Sequence, residues 1–370
     1  MKKLTVIAAG LGWNMLKRRN AQNIAGIRFS PRPSVFPAVT CPAQASLRTG
    51  KAPLEHGMLS NGVWFEDLQK PSFWEQSAKL VKGERIWDES TGLFFFQQSL
   101  GEKADVIVSP APIHKHGGGM IMACYTKPSA LAQILEEKAS KFKLFRYWGP
   151  LASSKIGHQC IDYFEAAIEY RDVDEAYLYL PTLDYAAQAY GPDSRQDLAA
   201  FEDFKRQLER VATFCRARGA KLVVTGDYEI TPATMPPCHP NFTLRQAGLF
   251  TTRKIGKMQY PDFYSSKAFA ICDHEICLLV GEEKEMAKQI LLSSGNYDKA
   301  PEGYDDILLA KKGGWCEYSW WSKSCEAPDW ASHVDIHNKP GFDPKELFLF
   351  CRGNVKGTHG RPCEVAYGET

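Results

Sequence analysis

The residues of this chain that could do chemistry are few and scattered. Thr40 lies in "PSVFPAVTCPAQASLRTGKAPLEHG", between Pro37 and Pro42 and ahead of small residues suited to a helix start. A threonine hydroxyl is a weak nucleophile until a cation or base draws off its proton. At a helix N-terminus, the backbone dipole would favour both an alkoxide and an incoming phosphate. Pro42 suits a first helical turn, where its missing N–H costs nothing. The same placement equally describes a plain helix cap. This stretch alone does not separate the two.

Metal ligation is the second chemistry on offer. Asp184 ("LDYAAQAYGPDS"), Asp227 ("TGDYEITP"), His337 ("VDIHNKPGFDP") and His359 ("VKGTHGRP") supply hard oxygens and imidazoles. Such a set suits zinc, manganese or a similar divalent ion. None of them forms a tight local motif. A lone histidine is commonly a hydrogen-bonded structural residue, and an aspartate after a strand is commonly a helix cap. His239 ("PPCHPNF") and His274, beside Asp273 in "AICDHEIC", extend the list on the same terms. "HKHGGGM" is like the oxyanion loop of lipases, but the chain has no G-x-S-x-G elbow to go with it and reads there as a loop.

Scattered residues need a scaffold that gathers them. Four apolar runs bounded by turn residues predict buried parallel strands: "LTVIAAG" from Leu4, "ADVIVSP" from Ala104, "EAYLYLP" from Glu175 and "AKLVVTGD" from Ala220. Between the last two, Leu198, Phe201, Leu208, Val211 and Cys215 form the stripe of an amphipathic helix, with Gly219 as its stop. That unit predicts a parallel sheet flanked by helices. Ligands of such sheets sit beyond the carboxyl ends of the strands, where Thr40, Asp184 and Asp227 all fall. The Trp- and Phe-rich stretch at about 59–169 is expected to form a cap over the site or to pack ordinary helices. One α/β domain spanning 1–370 accounts for the whole pattern.

Composition closes off other classes. The chain has 370 residues, 44% hydrophobic and 24% charged, with a net charge of +2. Nothing there favours a nucleic acid polymer or a membrane surface as partner. No apolar run reaches a transmembrane length. The 11 cysteines lack paired C-x-x-C spacing and read as buried thiols of a reducing compartment, so a cytoplasmic location is expected. "MKKLTVIAAGLG" imitates a signal peptide, but Trp13 and Asn14 follow where a cleavage site would fall. It is read as the first strand.

"FPAVTCPAQASLRTGKAPLEHG" resembles the nucleophile segment of the nucleotide pyrophosphatase/phosphodiesterase branch of the alkaline phosphatase superfamily. That segment typically reads F-P-T-x-T-x-P-N, then T-G, then P-x-x-H-G. "LDYAAQAYGPDS" is similar to the branch's D-x-x-G-H-x-x-G-P-x-S segment, "VVTGDYEITP" stands where it has S-D-H-G-M, and "GTHGRP" resembles its late G-x-H-G-Y-D loop. The four matches come in family order and span nearly the whole chain. The resemblance implies an alkaline-phosphatase-like α/β core with insertions, a covalent threonine nucleophile at Thr40, and Asp184, Asp227 and His359 as metal ligands. His337, in "HNKPGFD", shares the late-histidine assignment. Two ions would clamp the attacking and leaving oxygens of an in-line phosphoryl displacement.

The sequence also departs from that pattern. Ala9 stands at the first aspartate, Gln188 and Tyr228 at two histidines, and Ala43 at the asparagine following the nucleophile. Three of six expected ligands besides Thr40 are therefore replaced. His239, His274 and His337 could rebuild a metal shell, with Gln188 and Tyr228 behind it or against the substrate. A single ion could remain, or the fold could persist as a phospho-ligand binding or assembly protein. The expected function is hydrolysis of a small phosphate ester, phosphodiester or nucleotide pyrophosphate, with zinc or manganese, one or two ions, as cofactor.

Overall fold

The computed structural model describes residues 1–87, 89–149, 151–333 and 355–370. Its centre is a nine-stranded sheet. In chain order the strands are β1 (Lys3–Ala8), β2 (Asn23–Ile24), β3 (Ile27–Pro33), β4 (Thr91–Phe94), β5 (Val106–Pro110), β6 (Cys124–Lys127), β7 (Glu175–Leu180), β8 (Lys221–Gly226) and β9 (Glu364–Glu369). Across the sheet they run β6-β5-β4-β7-β1-β8-β9-β3-β2. The five strands from β5 to β8 are mutually parallel, and antiparallel strands finish both edges.

All four predicted strands are present, and "MKKLTVIAAGLG" supplies β1, in the middle of the sheet. Its residues from Leu4 onward are buried because helices cover both faces, which is why the run is continuously apolar rather than alternating. The predicted amphipathic helix spans Arg195–Arg218. Ser194 caps its start by accepting the Asp197 N–H, and Gly219 ends it at φ 62°. Its buried stripe runs through Phe201, Phe204, Leu208, Val211 and Cys215, whereas Leu198, in the first turn, is exposed. "GLFFFQQ" contributes β4, and Phe94, Phe95 and Phe96 pack in the main core.

Register sets where the functional loops emerge. Ala8 pairs with Leu180 on one side and Gly226 on the other. Ala9 and Asp227 therefore leave the sheet side by side, with Asp184 four residues beyond Leu180. Gly226 permits this crowding, since a Cβ there would lie 2.2 Å from the Leu11 carbonyl.

A second, antiparallel sheet of Phe269–Asp273, Ile276–Val280, Ile307–Ala310 and Tyr297–Lys299 has its own core around Leu291, Leu308 and Trp321. The stretch 59–169 supplies β4, β5 and β6 as well as the segments that join them. Among the described residues, no helix is long and apolar enough to cross a membrane.

Candidate active site

Thr40 is the first residue of the helix Thr40–Thr49, and the cap position belongs to Val39, in extended conformation (φ −135°, ψ 163°). The threonine side chain is thus not engaged in capping; it is nearly buried and lines a cleft. Gly50, in the left-handed region at φ 68°, closes the helix. The phenols of Tyr179 and Tyr228 both lie near the Thr40 hydroxyl. One residue on, the Cys41 N–H donates to Asn61 Oδ1 at 2.9 Å. No motif pointed to Asn61, because the contact joins a helix start to a loop 20 residues away.

Asp184 opens the helix Asp184–Tyr190, so Gln188, one turn later, falls on the same face. The Gln188 amide donates to Asp184 Oδ1, and the Tyr228 hydroxyl donates to that same oxygen at 3.0 Å. Asp227 Oδ1 accepts backbone N–H groups from Gly10 at 3.0 Å and Tyr228 at 2.9 Å. Among the described residues its Oδ2 is buried with no hydrogen-bond partner. Burial pushes the Asp227 carboxyl well above the usual carboxylate range against the pull of the Gly10 N–H, and the nearby charge of Asp184 adds to the rise. Burial likewise raises the Tyr228 phenol, with Asp184 adding to it.

His359 follows the two-residue strand Gly357–Thr358, which pairs with Thr231–Pro232 just past Asp227. Gly357 is required there, since a Cβ would lie 2.3 Å from the Ala187 carbonyl. The His359 ring stacks on Tyr228 with centroids 3.6 Å apart and planes 5° from parallel. Its Nδ1 donates to the Ala38 carbonyl at 2.8 Å, two residues before Thr40.

The second sheet reaches into the same place. His274 occupies the two-residue turn between Phe269–Asp273 and Ile276–Val280, at φ 58°, a left-handed conformation more usual for glycine. This turn sets the His274 ring 3.8 Å from that of His359 and exposes it to the cleft. Asp273 fixes the turn: its carboxylate accepts Ser60 Oγ at 3.0 Å, the Asn61 N–H at 2.7 Å and Asn61 Nδ2 at 3.1 Å. A continuous chain of bonds therefore links the Thr40 helix, Asn61 and the His274 hairpin.

Thr40, Asp184, Gln188, Tyr228 and His274 all line this one cleft of about 1150 Å³, with His359 stacked behind Tyr228. Its walls come largely from 74–76, 97–122 and 145–151, including the glycine-rich hairpin of "HKHGGGM". His239 is elsewhere, at the start of the helix Pro240–Gln246, with Nδ1 3.3 Å from Glu317. His337 lies outside the described residues.

Among the described residues, those at the family pattern's ligand positions do not supply its two-ion set. Ala9 has no ligating atom, and Gln188 and Tyr228 point donors at Asp184, where a cation would need acceptors. Among the described residues, no group of three or more His, Cys, Asp or Glu side chains could hold a metal ion. The His274 ring packs against that of His359 at the cleft. His239 is not among the residues that line the cleft.

A family model for type I phosphodiesterase / nucleotide pyrophosphatase matches residues 4–343. Murine ectonucleotide pyrophosphatase / phosphodiesterase 5 shares the fold at 14% identity and a TM-score of 0.57, covering 100% of this chain and 88% of the other. Phosphonoacetate hydrolase from Sinorhizobium meliloti 1021, solved with phosphonoacetate, does so at 13% identity and a TM-score of 0.60, covering 100% and 89%. An inactive form of the murine protein, solved with AMP, aligns at 14% identity and a TM-score of 0.57, covering 100% and 87%. No curated protein sequence matches the chain. The α/β core with its largely parallel sheet is shared with these solved structures.

Proposed function

We propose that this chain, which belongs to the type I phosphodiesterase / nucleotide pyrophosphatase family, is a phosphate-ester hydrolase with Thr40 as its nucleophile. The observation that carries this reading is the position of Thr40: first in its helix, free of any capping duty, and open to the cleft beside Asp184 and Tyr228. The helix start offers partial positive charge to an incoming phosphoryl group.

Thr40 needs somewhere to send its proton, and the family's usual divalent ions lack a matching ligand set here. Tyr228 offers the alternative. Its oxygen faces the Thr40 hydroxyl, and its own proton already points at Asp184 Oδ1. In this reading Thr40 Oγ1 attacks phosphorus, its proton moves to Tyr228, and the Tyr228 proton moves to Asp184. The phosphorus–oxygen bond to the leaving alcohol breaks in line, and that oxygen takes a proton from water. The hydroxide so formed attacks the phospho-threonine and releases the phosphoryl product, and the relay runs backward, returning the proton from Asp184 through Tyr228 to Thr40. General acid–base assistance of this kind contributes roughly 10²–10⁴-fold. His274, which lines the cleft beside the relay, is placed to meet phosphoryl oxygens.

A second reading has a specific observation behind it: the donors of Gln188 and Tyr228 already satisfy one oxygen of Asp184. A site so satisfied could hold a phosphate ligand without turning it over. Hydrolysis of bis-p-nitrophenyl phosphate by the wild type and by Thr40→Ala separates the two readings. Turnover by the wild type that Thr40→Ala abolishes supports the hydrolase. Phosphate binding without turnover in either protein supports the binder, and equal turnover in both removes Thr40 from the mechanism.

A further inference from the structure

The walls of the cleft are chemically unlike its floor. Trp74, Met122, Phe145, Trp148, Leu151 and Tyr185 dominate them. Phe145 is 41% exposed and Leu151 65% exposed at the same cleft, so apolar surface continues out to its mouth. Such exposed apolar patches on a concave site mark ligand contact rather than ordinary surface. At about 1150 Å³ the cavity far exceeds what a single phosphoryl group fills.

Charge is equally informative. No lysine or arginine lines the cleft among the described residues, whereas Glu75 and Asp184 do. Recognition of di- and triphosphates relies on Arg forks, Lys ammonium groups or bound cations to meet each added negative charge. Among the described residues, the groups lining the cleft that can meet phosphoryl oxygens include the Thr40 helix start and the imidazoles His114 and His274. That suffices for one phosphoryl group. A polyphosphate chain would place uncompensated charge against aromatic rings and carboxylates.

We infer that the cleft takes an ester bearing a single phosphoryl group and a bulky apolar alcohol, in preference to nucleoside di- or triphosphates. The inference rests on the reading of Thr40 as the phosphoryl site and adds the identity of the group beyond it. The phosphoryl end seats at the helix start, and the apolar body lies along Trp148 and Phe145. Aromatic and alkyl alcohols share this chemistry, and ring stacking would favour the aromatic one.

Binding is measured by titration calorimetry on the whole chain with methyl phosphate, 2-naphthyl phosphate, decyl phosphate, ATP and 2-naphthol. The expected result is that naphthyl or decyl phosphate binds roughly tenfold or more tightly than methyl phosphate, as burial of that apolar area requires, while ATP gains nothing. The stronger of the two identifies the aromatic or alkyl source. Trp148→Ala and Phe145→Ala, singly, should erase most of that gain and leave methyl phosphate unchanged. ATP binding more tightly than naphthyl and decyl phosphate overturns the inference while the phosphoryl site stands. 2-Naphthol binding as tightly as its phosphate, or no phosphate ester binding at all, overturns the phosphoryl site and this inference together.

Discussion

The floor of the cleft and its walls are built to different rules. The floor comes from the ends of β1, β7 and β8, where strand register brings the loops of Asp184 and Asp227 together. Its polar groups are bonded to one another: Tyr228 and Gln188 to Asp184, Gly10 to Asp227, Asn61 to Asp273. The walls come largely from 74–76 and from the segments joining β4 to β7, carry large apolar side chains, and supply no lysine or arginine among the described residues. Reactivity is therefore concentrated in a rigid, hydrogen-bonded patch, and ligand choice is left to surfaces that pack on whatever is attached to phosphorus. A fold that keeps its floor can change its substrate by changing its walls. In this chain the floor has changed as well, because hydrogen-bond donors stand at three positions or next to them where the family pattern has ligands.

The largest effect is expected on the floor. Thr40→Ala should lower phosphodiester turnover by about 10³-fold or more. Because Val39 holds the cap position, the melting temperature should barely move. Thermal unfolding run beside the kinetic assay tests both halves.

Tyr228→Phe removes the hydroxyl that joins Thr40 to Asp184 while keeping the stack on His359. Turnover is expected to fall roughly 10²-fold or more. A change in KM with kcat intact would show Tyr228 to be a substrate contact instead.

The substitutions Ala9→Asp, Gln188→His and Tyr228→His, made together, put back the family's ligand types. Elemental analysis after zinc loading and desalting should find metal retained by the triple variant and little on the wild type. Stoichiometric zinc on the wild type would break the contrast drawn here between a ligand-rich family floor and a hydrogen-bonded one.

The smallest expected effect lies under the floor, at His56. Its Nδ1 accepts the Met58 N–H at 3.2 Å, and its Nε2 lies 2.9 Å from Ser46 Oγ on the Thr40 helix. Burial, with the Arg48 charge adding to it, lowers its pKa from 6.5 to about 4. The folded pKa is the lower one, so the unfolded chain binds more protons between those values. Stability should be level above pH 6.5, decline as pH falls toward 4, and flatten below. His56→Gln should remove that part of the decline in denaturant titrations across the range.

Much of this was legible in the sequence where the signal was local. The four central strands and the long helix declared themselves because burial on both sheet faces demands continuous apolar runs, and helix packing demands a 3.6-residue stripe. Thr40, Asp184 and Asp227 fell at strand ends, and the structure gathers the first two around the cleft with Asp227 beside them. What could not be read was pairing between distant elements. "GLFFFQQ" looked like cap material because three adjacent phenylalanines have no period, yet it forms β4. His274 offered only a neighbouring aspartate as a clue. Its place in the site depends on a second sheet delivering a two-residue turn to His359. Asn61 and the roles of Gln188 and Tyr228 around Asp184 were hidden for the same reason.

The account depends most on a covalent step at Thr40, and that step leaves a mark. Wild-type protein mixed with excess bis-p-nitrophenyl phosphate, quenched in acid within the first turnovers and digested, should yield the Thr40 peptide carrying an added phosphoryl ester. Tyr228→Phe should carry less of it. Sustained product release with Thr40 never modified would contradict the account.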